Sequence, residues 1–225
     1  MKVLALLVAA LVLLPSPARA DDVVLDGVTV HAWDRTQQVV TVNHTGGFHA
    51  RLTWWRYDEG RWVRKLQAAG RIGYGGLVAG ARRVQGSGTT PLGSYRLLEA
   101  FGTHDADPAW RSSYRRIGPG DYWVEDNQSA YYNRWRNRRD GGFRWWMPDS
   151  NVNASELLTD RPVDYEYAIN TSFNQDQVRY RGAGIFLHVN GAGATAGCVS
   201  GPRWFLRSLM RRLDPASVPM IAIGR

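Results

Sequence analysis

The chain is poor in cysteine, in long apolar runs and in clustered metal ligands. One cysteine, Cys198, stands among 225 residues, so no disulfide can close within the chain. The longest apolar run, residues 3–14, is too short for a bilayer span of about 20 residues. No other stretch qualifies, so no membrane span is expected beyond it. His31, His44 and His49 lack tight spacing with carboxylates, which argues against a metal site, and no organic cofactor is implied. No nucleic-acid motif accompanies the formal charge of +8. Attraction to an anionic cell envelope and plain solubility account for that charge equally well.

What is present begins with a leader. Lys2 precedes the apolar run, Pro15 and Pro17 break it, and Ala18-Arg19-Ala20 reads as an A-x-A cleavage site. Residues 1–20 are therefore expected to be a signal peptide. Residues 21–225 are expected as one exported domain, cell-wall bound or free, with nothing demanding more than a monomer. Export sharpens the meaning of Cys198. Outside the cytoplasm most cysteines pair, so a lone thiol is either shielded in the core or reactive.

Residues 28–33 and 38–43 are rich in β-branched side chains and read as strands. Residues 49–57 and 61–67 flank Asp58-Glu59-Gly60, a hairpin turn signal. Residues 89–93 read as a turn, and residues 95–98 and 163–170 as strands. Residues 101–160 hold Trp110, Trp123, Trp135, Trp145 and Trp146 with Arg134, Arg136, Arg138, Arg139 and Arg144. Their periodicity is poor, which suggests a long insertion or lid with little regular structure and a short helix at residues 155–158. Its tryptophans either pin the loop or offer faces to sugar rings. Phe205, Leu206, Leu209, Met210 and Leu213 recur at helical spacing after Pro202, and Asp214-Pro215 stops that helix. Residues 218–223 read as a closing strand. A helix starting close to Cys198 would favour its thiolate.

The chemistry centres on residues 185–200. Ile185-Phe186-Leu187 delivers His188 as a strand would, a loop of small residues follows, and Cys198 comes after Gly197. A thiol is a nucleophile only as thiolate and needs a base within reach, for which His188 is the candidate. The backbone N–H groups of Gly197 and Cys198 are candidates for the oxyanion. Taken singly, a free cysteine is more often a small buried hydrophobe than a nucleophile, and the histidine reads equally as a satisfied core residue.

The arrangement His188…Thr195-Ala196-Gly197-Cys198-Val199 resembles the active-site signature of the YkuD-type L,D-transpeptidases. Gly86-Ser87-Gly88-Thr89-Thr90-Pro91-Leu92-Gly93-Ser94-Tyr95 resembles that family's Gly-x-x-x-Thr-Pro-x-Gly stretch. Trp123-Val124-Glu125-Asp126, Tyr132-Asn133 and Tyr165-Glu166-Tyr167-Ala168-Ile169-Asn170 resemble segments of a secreted branch. The likeness covers about residues 71–225. Ala196, Ser200 and Val189 depart from the commoner residues at their places. The resemblance implies a mostly β fold: a YkuD-like sheet or sandwich with a C-terminal helix and a loop-rich insertion. It implies a cysteine-dependent enzyme that cross-links peptidoglycan stem peptides through a thioester. It also implies that the Val189 carbonyl orients the imidazole, and that carbapenems acylate the cysteine. Candidate catalytic residues are Cys198, His188 and Gly197; candidate substrate-binding residues are Thr195, Asn190, Val189, Tyr132, Asn133 and Trp123. Two rivals stand beside this: an L,D-carboxypeptidase or endopeptidase that uses water, and a non-catalytic wall-binding module.

Overall fold

The computed structural model describes residues 22–225; the expected signal peptide lies outside the described residues. Strands make up 40% of the described residues. In order they are β1 (Val23–Leu25), β2 (Val28–Val30), β3 (Gln38–Gly46), β4 (His49–Asp58), β5 (Arg61–Arg71), β6 (Leu77–Ala79), β7 (Thr90–Gly102), β8 (Tyr114–Arg116), β9 (Asp121–Trp123), β10 (Trp135–Asn137), β11 (Glu156–Leu157), β12 (Tyr167–Thr171), β13 (Phe186–Val189), β14 (Val199–Gly201) and β15 (Met220–Gly224). Among the described residues one α-helix, α1 (Arg203–Arg212), lies between the last two strands.

The main sheet runs β12-β13-β14-β5-β4-β3-β15-β7-β6, and β12 also pairs with β7. That extra pairing closes the sheet on itself, so the strands between β12 and β7 keep no free edge. The hairpin signal holds: Asp58 pairs with Arg61 across a two-residue loop. Glu59 and Gly60 both have positive φ, 48° and 80°, as a turn matched to strand twist requires.

Inside the closed sheet, Val40, Leu52, Leu187 and Ile221 share one cluster with Phe205, Leu206, Leu209 and Met210 from α1. The helical stripe of the sequence is thus core packing. A second cluster joins the insertion to the sheet: Phe101 and Phe186 from strands meet Trp123, Tyr132, Leu158 and Tyr165.

Three expectations change. Residues 155–158 form no α-helix: Glu156 and Leu157 pair with β9, and only a single 3-10 turn begins at Leu158 and runs to Asp160, with Leu158 drawn into the core and too few residues present to nucleate an α-helix. Residues 89–93 are not a turn, because β7 already starts at Thr90 and Pro91 pairs with Val78 of β6. Its missing N–H is tolerated there because the ladder to β15 begins only at Gly93. Finally, the strand expected from residue 163 begins at Tyr167.

The insertion is more regular than its sequence suggests, with β10, β9 and β11 forming their own small sheet. Trp123 and Trp135 pack into the second cluster, and Trp110 lies against the first. Its arginines mostly hold backbone or aromatic neighbours. Arg134 donates to the Asn133 and Gln175 carbonyls, and Arg136 lies 3.6 Å over the Tyr131 ring. Trp145 and Trp146 stay exposed.

Phe186 links the sheet to the insertion, with ring centroids 5.0 Å from Phe101 and 4.8 Å from Trp123. Phe186→Ala is expected to cost about 3–5 kcal/mol, read as a lowered denaturation midpoint. Trp204→Ala, at a half-exposed surface site, should stay within about 0.5 kcal/mol of wild type.

Candidate active site

Side chains alternate along β13. Leu187 and Val189 enter the core of the closed sheet, while Phe186 faces the insertion. His188 therefore points the same way as Phe186, into a cleft between sheet and insertion of about 760 Å³. The histidine is 6% exposed. Its Nδ1 lies 2.8 Å from the Val189 carbonyl. A carbonyl only accepts, so Nδ1 carries the proton and Nε2 the lone pair. Burial pushes the His188 pKa down, opposed by the Val189 carbonyl and by Asp164, so the ring is neutral near pH 7.

β14 lies parallel to β13, with Leu187 opposite Val199 and His188 opposite Ser200. Residues 190–198 must therefore run back along β13 to begin β14, which returns Cys198 to the cleft beside His188's own strand. That loop is tied at several points. Arg71 donates to the Gly191 and Gly193 carbonyls. Tyr74 N–H donates to Thr195 O, and Thr195 N–H to Ile72 O. Thr90 Oγ1 accepts from Gly73 N–H at 2.8 Å and donates to Gly197 O at 2.7 Å. The Thr-Pro stretch of the sequence thus clamps the cysteine loop.

Gly197 has φ +135°, and a Cβ there would lie 2.6 Å from Arg83 Nη2 and 2.9 Å from Thr89 O. Only glycine fits both the conformation and the space. Its N–H, expected to face an oxyanion, is donated to Thr195 Oγ1 at 3.2 Å. The Cys198 N–H has no acceptor among the described residues.

The half-buried Cys198 donates its thiol proton to Gly184 O at 3.0 Å and accepts from Phe186 N–H at 3.3 Å. It makes no hydrogen bond to His188 among the described residues, although both line the same cleft. Burial pushes its pKa up to about 12; Phe186 N–H and Arg83 pull the other way, Glu156 and Glu125 reinforce it. The resting thiol is neutral. β14 (Val199–Gly201) lies between Cys198 and α1 in the chain, so the helix does not start at the cysteine.

The YkuD family, the L,D-transpeptidase catalytic domain, matches residues 37–220. The chain belongs to this family. No curated protein matches it. Among solved structures it is similar to Bd1075 of Bdellovibrio bacteriovorus, with 15% identity and a TM-score of 0.41 over 84% of this chain. The chain spans about half of that structure, 48% of its length.

In this YkuD domain the other expected site residues divide. Thr195 lines the cleft. The Val189 carbonyl orients His188, and Asn190 Oδ1 accepts from Ser200 Oγ at 2.8 Å, holding the start of the loop. Tyr132, Asn133 and Trp123 are buried behind the wall rather than on it. Trp123 Nε1 and Gly184 N–H both donate to Asn133 Oδ1, at 2.9 and 3.0 Å. Tyr132 donates to Gln85 and accepts from Gly182 N–H. These three fix residues 182–184, and so the carbonyl that receives the thiol proton.

Several cleft residues escaped the sequence. Arg83, Glu125, Glu156, Asp164 and Tyr165 all line it. Burial pushes Glu125 up to about 8, helped by nearby Glu156 and opposed by Arg83. Glu156, also raised by burial, accepts from the Tyr165 hydroxyl at 2.8 Å. Glu125 and Tyr165 lie inside segments that carry the family likeness, which was a usable signal. Arg83 is one of 28 basic residues with nothing local to mark it.

A thiol held near 12 gives a direct expectation. Alkylation of Cys198 by iodoacetamide should rise about tenfold per pH unit from pH 7 to 10 without levelling; a plateau below pH 9 would mean the thiolate already exists at rest. Thr90→Val strips partners from Gly73 N–H and Gly197 O. It should lower stability by about 1–3 kcal/mol, measured by urea denaturation, and slow turnover.

Proposed function

We propose that this domain is an exported L,D-transpeptidase that joins peptidoglycan stem peptides through a thioester on Cys198. The observation that carries this reading is the placing of a neutral imidazole on β13, its Nε2 without a hydrogen-bond partner among the described residues, and a thiol just ahead of the adjacent parallel β14, both lining one cleft. The leader-like pattern of residues 1–20, an apolar run broken by prolines ahead of Ala18-Arg19-Ala20, supports export.

The thiol exchanges the Gly184 carbonyl for His188 Nε2 as the donor stem enters. Sγ attacks the carbonyl of the third-position diamino acid, and its proton passes to Nε2. The Cys198 N–H receives the oxyanion. As the intermediate collapses, His188 returns the proton to the departing amine of the terminal D-alanine, and the acyl group stays as a thioester. The side-chain amine of a second stem then attacks, His188 takes its proton, and a new amide forms as the thiol is restored. The cleaved amide supplies the acyl group, so no nucleotide is consumed. Water in place of the amine makes the same site a carboxypeptidase.

Mass spectrometry of a defined disaccharide-tetrapeptide, with and without an acceptor stem, tests this. Wild type should give dimers with release of D-alanine, and Cys198→Ser at least about 1,000-fold less. Free D-alanine without dimer establishes hydrolysis instead. No product, together with no carbapenem adduct on Cys198, leaves a wall-binding module.

A further inference from the structure

Arg83 is 6% exposed and has no ion-pair partner among the described residues. Its Nε donates to Thr89 O at 2.7 Å and its Nη1 to Arg181 O at 3.2 Å. Phe173 lies under the guanidinium, 5.6 Å from its centre. Space for the group is made by two glycines. A Cβ on Gly182, at φ +103°, would fall 1.5 Å from Nη1, and one on Gly197 would fall 2.6 Å from Nη2. An arginine carries five N–H donors. Two serve these carbonyls, which leaves one on Nη1 and both on Nη2. The Nη2 group has no partner among the described residues and is not sealed off, and Arg83 lines the cleft with Cys198.

A buried guanidinium without an anion is costly, and the Nη1–Nη2 edge is the fork that grips a carboxylate with two bonds. Glu125 acts on Arg83 through space. Held near 8 by burial, it is mostly protonated at neutral pH and leaves the charge uncompensated.

We propose that Arg83 binds the free α-carboxylate of the donor's last residue, so that the amide broken must be the final one of the stem. The inference rests on the function proposed above. In such a donor the carboxylate carbon lies two bonds beyond the scissile nitrogen. With the scissile carbonyl over Cys198, the carboxylate falls toward the guanidinium beside Gly197. Once the thioester forms, that carboxylate departs with the amino acid, and Arg83 holds nothing of the acyl group that the acceptor must approach.

The test compares a tetrapeptide with a free C-terminus against its C-terminal amide, using the full exported chain. Wild type should favour the acid in kcat/KM by roughly 10- to 100-fold, the worth of a charge-assisted pair. Arg83→Gln should bring the ratio near one and Arg83→Lys should restore part of it. The iodoacetamide rate at Cys198 reports whether the loop is intact in each variant. Equal use of acid and amide by wild type, or a preference kept in Arg83→Gln, overturns the proposal. Should wild type cleave neither peptide, the functional reading fails and calorimetry on Cys198→Ala decides this one separately. Tighter binding of the acid, lost when Arg83→Gln is added, supports the carboxylate site; equal binding of the two overturns it. If Arg83→Gln does not fold, the acid-to-amide ratios of wild type and Cys198→Ala decide.

Discussion

The buried hydroxyl of Thr90 lets a loop of small residues carry a nucleophile. Residues 190–198 have almost no side-chain bulk with which to pack, so they are held through their backbone. Thr90 takes an N–H from Gly73 on one side and gives its proton to Gly197 O on the other. A glycine at 197 is needed because Arg83 and Thr89 approach where a side chain would stand. The Thr-Pro segment, the glycines and the cysteine are therefore one construction, although more than 100 positions separate Thr90 from Cys198.

The sheet and the insertion share the work. Period-two alternation on β13 sends Leu187 and Val189 inward and leaves Phe186 and His188 to the cleft. The insertion then walls the cleft with acidic groups, so a protein with a basic surplus presents carboxyls around its thiol. Behind that wall, Trp123, Tyr132 and Asn133 fix the Gly184 carbonyl on which the resting thiol rests.

Burial keeps the reacting pair uncharged at rest. Thiol and imidazole are both neutral at pH 7, because water's stabilisation of charge is withdrawn from each. In the proposed reaction the proton moves only when a substrate carbonyl is there to accept the electron pair. A thiol that stays neutral at rest is also slow to oxidise.

By itself the sequence determined the β-rich class, the β4–β5 hairpin, the C-terminal helix and the pairing of Cys198 with His188 as candidates, since turn chemistry, periodicity and short motifs are local. The small sheet within residues 101–160 was not legible, because its strands of two or three residues have no period and form only against partners elsewhere. Residues 155–158 show the same limit: their helical look gives way to a short pairing with β9 and a 3-10 turn from Leu158, set by a core assembled from distant segments. Which aromatic residues face the cleft and which stand behind it, and that Arg83 comes to the nucleophile, were decided only by tertiary structure. Burial and the loss of solvent around a charge belong to the packed molecule, and no run of neighbouring residues encodes them.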